Sequence, residues 1–417
     1  MATTSFSQSK AHEAILPKAW VVALVGGASL SIAMGIGRFA FTPLLPMMLH
    51  EGVVDLQSGS HLATANYVGY LLGAMVAATQ PSIIRWLSWQ RSPPSAGIVR
   101  WGLLLTTLLT GLMAFPVPSL WLSLRLLAGA GSAYVLVFTS GWCLTHLARH
   151  DRPTLGGLIF MGPGIGIVIS GLAASALARN HFTSGSGWLF FAGLSAVVTA
   201  GVWTTFQGTD PHFETVEPIV STKPSVNSIE IGLFVLAYGL AGFGYIITAT
   251  FLPVIARSTL SSSPWIDLFW PLVGFGAAIG SALSILTPRT LNRRLALAGL
   301  YAIQSLGVAL TLFFPSLEGF IAGSILVGIP FMVITFYAMQ EAKHLRPHHS
   351  AALMGALTAA FGMGQILGPA AVAAFAASEF SHAHAFAFSL GTAAASLAIG
   401  ALLFLTMNIC WPHRKGN

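Results

Sequence analysis

Residues 35–46 read GIGRFAFTPLLP, inside a run from Ala19 to Leu49 that is otherwise almost wholly apolar. The residue there that can do chemistry is Arg38. An ionised group in a spanning segment is costly and marks a functional site by default. A fixed guanidinium would hold an anionic or strongly polar solute group, gripping two oxygens with its planar fork. A structural arginine, paired with carbonyls or a carboxylate and setting helix packing, is the competing reading. Pro43 and Pro46 cannot donate to the carbonyls of Phe39 and Thr42. Carbonyls freed at that depth are tolerated where they face protein or a water-filled cavity. The outer end of this run is therefore expected to bend toward a cavity that Arg38 faces.

Carboxylates are scarce. Of twelve acids, Asp267 is the one expected inside an apolar run, about one turn from its start. It is the candidate proton carrier, although that position also suits a helix-start acid. Without it, proton coupling would fall to His61 or His146, or be absent. Arg125, seven residues past Pro118, reads as a second intramembrane arginine, with backbone carbonyls as its alternative partners. Tyr134, Phe138, Trp142, Tyr245, Trp270 and Tyr337 are candidate cavity-wall aromatics, each competing with plain packing. The glycine sets Gly162-Pro163-Gly164-Ile165-Gly166, Gly274/Gly276/Gly280 and Gly362/Gly364/Gly368 have no strand before them, so they are not nucleotide fingerprints. Close helix approach explains them, with Gly162-Pro163 and Gly368-Pro369 as bends. His344, His348 and His349 flank Pro347 and read as a solvated loop, so no metal or other cofactor is implied.

These residues must be positioned by membrane helices. The 417 residues are 55% hydrophobic and 7% charged, against about 25% charged in soluble domains. Apolar runs of about 20 residues, the length of a spanning helix, recur at 19–48, 60–84, 97–116, 119–147, 154–178, 187–207, 229–255, 264–287, 295–314, 317–340, 350–377 and 383–408. With the N-terminus in the cytoplasm, 15 of the 19 Lys and Arg fall on the cytoplasmic side. Arg179 and Arg257 fall opposite, and Arg38 and Arg125 within spans. That bias follows the positive-inside rule, puts both termini in the cytoplasm, and removes nucleic acid as the reason for the +7 charge. Residues 208–228 carry three prolines and three acids and read as a cytoplasmic linker between halves 1–207 and 229–417. Gly35, Gly37 and Pro46 match Gly242, Gly244 and Pro253 at an offset of 207, and Gly162-Pro163 matches Gly368-Pro369 at 206. Repeats of this kind belong to secondary transporters, whose solute site lies at the repeat interface near the midplane. The fold class is thus an all-α polytopic membrane protein of twelve helices in two pseudo-symmetric six-helix bundles. Cys143 and Cys410 lie in or beside apolar runs and imply no disulfide framework.

Three stretches resemble the major facilitator superfamily. RLLAGAGSA from Arg125 is similar to its Arg-x-x-x-Gly-x-Gly motif in span 4; Gly162-Pro163-Gly164-Ile165-Gly166 is similar to the Gly-Pro element of its antiporters; GIGRFAFTPLLPMM resembles the signature of the YbfB/YjiJ-type branch of bacterial carriers. The resemblance implies two bundles rocking about a cavity lined by spans 1, 4, 7 and 10, in a monomer of the bacterial inner membrane. It links Arg125 to proton coupling. The loop RWLSWQR from Arg85 departs from the family by lacking its acid and glycine. The function expected is secondary transport of a small organic solute, anionic or sugar-like given Arg38, and proton-coupled, with a sensor or uncoupled facilitator as alternatives. An intramembrane enzyme lacks a nucleophile–base or metal-ligand cluster, and an ATP-driven pump lacks a phosphate-binding loop.

Overall fold

Twelve stretches long and apolar enough to cross a bilayer fold as helices. In chain order they are α1 (Ala19–His50), α2 (Leu56–Gln80), α3 (Ser95–Leu112), α4 (Pro118–Arg149), α5 (Gly156–Arg179), α6 (Ser184–Trp203), α7 (Ser228–Thr259), α8 (Ile266–Ser284), α9 (Arg293–Phe313), α10 (Leu317–Leu345), α11 (Leu353–Phe375) and α12 (Phe386–Cys410). The computed structural model describes residues 17–86, 94–152, 155–207, 227–260, 265–288, 291–346, 350–376 and 382–412, and among these there is no strand. Most of the linker, Pro347, His348 and His349, and the basic tail residues Arg414 and Lys415 lie outside the described residues.

Polar residues start several helices by satisfying otherwise orphaned backbone donors. Asn227, Asn292, Thr183 and Ser316 each accept from a backbone N–H in the first turn that follows. The Glu51 carboxylate, at the end of α1, accepts from the backbone N–H of Ser184 at 2.5 Å and from its hydroxyl.

Helices α1–α6 and α7–α12 form two six-helix bundles. Twelve crossings return the chain to the face on which it starts, so Ala19 and Cys410 share one face, here the near face. Glycine sets the helix spacing within each bundle. A Cβ on Gly35 would lie 2.4 Å from the Cα of Gly166, and one on Gly162 would lie 2.1 Å from the Gly27 carbonyl oxygen. Ser31 fastens the same α1–α5 contact, its hydroxyl donating to the Gly162 carbonyl at 2.7 Å. Gly242, the repeat counterpart of Gly35, packs on the Phe361 backbone of α11.

The bundles meet along two seams. On the α5–α8 seam, Gly157 faces Ile285, Gly164 faces Ala278 and Gly171 faces Pro271. On the α2–α11 seam, Gly362 faces Leu71. At the near face a buried charge network ties the C-terminal bundle together. Arg294 Nε donates to Glu341 at 2.7 Å, its Nη1 to the carbonyls of Met407 and Trp411, and its Nη2 to Glu230. Arg293 donates to the same Glu341 at 3.2 Å.

Candidate functional site

Helix α1 breaks where the sequence places its arginine. An α-helix over Ala19–Leu30 widens into a π-helix over Ser31–Ile36, turns at residues 37–40, and resumes as an α-helix over Phe41–His50. Two i→i−5 bonds hold the widened segment, Gly37 N to Ile32 O at 2.8 Å and Phe39 N to Met34 O at 3.1 Å. Such π segments recur at functional sites. Pro43 therefore does not act as expected. It falls in the first turn of the resumed helix, where no donor is needed, and the Phe39 carbonyl accepts from Thr42 N at 3.2 Å.

Pro253 of α7, the repeat counterpart of Pro46, has a consequence of its own. As a proline it cannot donate to the Ala249 carbonyl. That carbonyl instead accepts from the Thr42 hydroxyl of the other bundle at 2.8 Å. Thr42 and Ala249 are themselves 207 residues apart, the repeat offset. Beside them, the Tyr67 and Thr250 hydroxyls bond at 2.9 Å.

Arg38 sits in the turn of α1, 2% exposed. Its guanidinium carbon lies 4.1 Å from the Tyr70 ring centroid, 4.9 Å from Tyr67 and 5.2 Å from Phe39. Cation–π attraction supplies part of what hydration would. Nε and Nη2 make no hydrogen bond, and no acid among the described residues forms an ion pair with Arg38. Arg125 stands behind it, also buried. Its Nη1 and Nη2 point to the Gly37 and Arg38 carbonyls at 3.4 and 3.3 Å, and its guanidinium lies 4.6 Å from the Phe41 ring. Asn66 Nδ2 donates to the Arg125 carbonyl at 2.9 Å. Gly129 lets α2 and α4 approach here, since a Cβ on it would lie 1.9 Å from the Asn66 carbonyl oxygen.

Next to Arg38, an apolar cleft lies between the bundles, lined by Phe39 and Ile167 on one side and Tyr245, Trp270, Val327 and Phe331 on the other. It has about 10 Å³ of free volume, about one water. Phe39 packs 6.0 Å from Trp270 and 5.7 Å from Phe331. The Tyr245 hydroxyl accepts from Gln365 Nε2, and its ring packs between Phe331 and Phe361 at 5.0 and 5.5 Å. Trp270 Nε1 and Gln365 Oε1 have no hydrogen-bond partner.

Of the residues singled out from sequence, Arg38, Tyr245 and Trp270 come together here. Trp142 does not: it packs inside the N-terminal bundle, stacked on His146 at 3.9 Å and 4.9 Å from Phe206. Tyr134 is half-exposed on α4 and packs on Phe138 at 5.5 Å, apart from the Arg38 cage. The Tyr337 hydroxyl bonds to Thr287 at 2.6 Å, toward the near face. His61 is exposed. Asp267 lies in a 3-10 turn, Ile266–Leu268, at the far end of α8. Its side chain, 18% exposed, pairs with Arg257 at 2.6 Å and with Arg179 of the other bundle at 3.9 Å. Tyr67, Tyr70, Phe331 and Gln365 were not singled out by motif or repeat. Tyrosine is rare in this chain, seven in 417 residues, and Tyr67 and Tyr70 share a helix face at a spacing of three.

Two six-helix bundles of membrane-length helices, with a buried cation and an aromatic cleft where they meet, define a polytopic membrane protein of the two-bundle, twelve-helix class. Residues 30–405 match the family model described as "Uncharacterised MFS-type transporter YbfB". The chain therefore belongs to this branch of the major facilitator superfamily, as an integral membrane transporter and not an enzyme. Among solved structures it is similar to a point mutant of the nucleoside transporter NupG, with a TM-score of 0.66, 16% sequence identity, and coverage of 93% of this chain and 99% of that one. No curated protein matches it.

Proposed function

We propose that the protein is a secondary transporter that moves a small organic solute across the bacterial inner membrane by alternating access, with Arg38 as the fixed cation that receives the solute's anionic or acceptor-rich group. The observation that carries this reading is a buried guanidinium with two free donors and no described counter-ion. A buried charge is costly unless paired, and a bound anion supplies the missing pair. The positive-inside bias assigns the near face to the cytoplasm. The far side is held shut by Thr42 on Ala249, Tyr67 on Thr250, and Asp267 between Arg257 and Arg179.

Proton coupling belongs to the same reading and acts at the far rim. Protonating Asp267 removes the charge that holds Arg179 across the interface, so the proton and the opening of the far side are linked. Arg125 serves the site by holding the turn that aims Arg38.

The test is uptake into proteoliposomes by wild type, Arg38→Ala and Arg38→Lys. Arg38→Ala is expected to abolish transport with normal insertion. Arg38→Lys is expected to restore it partly, because lysine keeps the charge and loses the planar fork. Full transport by Arg38→Ala would overturn the assignment.

A further inference from the structure

We infer that the solute is a carboxylate on a flat apolar body, an aromatic acid or one of similar shape, and not a sugar or polyol; this rests on the proposed role of Arg38. The free edge of the guanidinium carries the first observation. Nε and Nη2 are the two unpartnered nitrogens, and they lie on one edge, with parallel N–H bonds spaced for the two oxygens of a carboxylate. The Tyr70 ring covers the guanidinium at 4.1 Å, with Tyr67 and Phe39 close by. A planar carboxylate lies in the plane of the fork. A tetrahedral phosphate or sulfonate can lay only two oxygens along that edge and must find donors for the rest beside an apolar cleft.

The cleft carries the second observation. It is walled by Phe39, Trp270, Phe331, Ile167, Val273 and Val327. Its free polar groups are few: two donors, Trp270 Nε1 and the hydroxyl proton that Tyr245 keeps while accepting from Gln365, and one acceptor nearby, Gln365 Oε1. A sugar would strip water from many hydroxyls and find too few partners, and unpartnered buried polar groups are strongly rejected. With about 10 Å³ free, a ligand enters by exchanging its own contacts for ring–ring contacts already present, Phe39 with Trp270 and with Phe331. A flat ring makes that exchange with least loss of stacking. Trp270 Nε1 then offers one hydrogen bond to a hydroxyl or keto oxygen on the ring.

The experiment is calorimetric titration of the purified full chain with benzoate, 4-hydroxybenzoate, benzenesulfonate, benzyl alcohol, gluconate and sorbitol. The two benzoates are expected to bind at least tenfold more tightly than the other four. Arg38→Ala and Arg38→Lys are expected to weaken benzoate at least tenfold and about threefold, and Trp270→Ala to weaken it while Trp270→Phe largely preserves it. If Arg38→Ala does not fold, the Lys and Trp270 variants decide. Gluconate binding as tightly as benzoate, with loss in the Arg38 variants, overturns the aromatic-acid inference and leaves the anion-transport reading standing. Sorbitol or benzyl alcohol binding tightly and unaffected by the Arg38 variants overturns both. Folded wild type that binds neither benzoate overturns the inference.

Discussion

The bond from Thr42 to the Ala249 carbonyl makes a quantitative prediction about the two states of the transporter. Thr42→Val keeps the side chain's shape and removes the donor at 2.8 Å. A neutral hydrogen bond contributes about 1 kcal/mol net, and a buried carbonyl left unsatisfied costs about 1–3 kcal/mol. The cost here is sharpened by Pro253, because the proline supplies no helix donor to Ala249. In the far-open state water reaches that carbonyl, so the loss falls on the far-closed state. About 1 kcal/mol shifts the equilibrium toward far-open about fivefold, and about 2 kcal/mol about thirtyfold. Spin labels at His50 and Thr259, both exposed at the far ends of α1 and α7, with Cys410→Ser, read the two populations as two distances. Pro253→Ala gives Ala249 a donor from its own helix. In that background Thr42→Val is expected to shift the populations by less than half as much, a direct measure of coupling. An unchanged distance distribution in Thr42→Val, or equal shifts in both backgrounds, would refute the latch.

Asp267→Asn is expected to abolish proton-driven accumulation in vesicles and leave counterflow exchange, since the amide passes solute but carries no proton; an unchanged pH dependence removes Asp267 from coupling. Gly162→Val drives a Cβ to 2.1 Å from the Gly27 carbonyl oxygen and is expected to destabilise by about 3 kcal/mol or more, seen as a lower melting temperature or loss of a monodisperse peak. Gly193→Ala meets nothing within 4 Å and is expected to be neutral or to stabilise by up to about 1 kcal/mol. Glu341→Gln weakens a largely buried network that also holds Arg293, Arg294 and Glu230; losing one partner of a buried pair costs about 3–5 kcal/mol, read as a melting shift in detergent.

Much of this architecture is legible in the chain because a bilayer leaves few options. Length and apolarity alone place all twelve spans, and the 207-residue offset pairs Thr42 with Ala249 and Arg38 with Tyr245. Arg38 stands out because the run from Ala19 to Leu49 holds no other Asp, Glu, Lys or Arg. Faces are harder to read. Tyr134, Phe138 and Trp142 form an i+4 row, which drifts about 40° per step on a 3.6-residue helix. Trp142 has therefore turned about 80° from Tyr134 and into the bundle, against Phe206. Tyr67, Tyr70 and Gln365 lie on α2 and α11, and only the approach of those helices to α1 and α7 brings them to Arg38 and Tyr245. Gly364 sets α11 against α7, and Gly69 and Gly129 set α2 against α4, the helix that holds Arg125 behind Arg38; a single sequence does not reveal which backbone each glycine meets. The effect of Pro43 was concealed by the π segment upstream, whose extra residue per turn no local pattern announces.

The α5–α8 seam has a further consequence. Its contacts advance by seven residues on both helices, Gly157, Gly164 and Gly171 against Ile285, Ala278 and Pro271. A strict seven-residue stride keeps a seam straight along a gently supercoiled pair. Each of these three steps on the α5 side is a glycine, and between them the Ile167 side chain packs on Gly274 of α8. The seam is therefore built more like the barrel of a door hinge than like a zipper: a glycine at every seventh residue lets the two backbones lie close from one face toward the other. Rotation about such a pin moves atoms in proportion to their distance from it. The α5 and α8 backbones would stay nearly still, α10 would move little because it packs on the α8 backbone at Gly276, Gly280 and Gly328, and the α2–α11 pair at the other seam would travel farther.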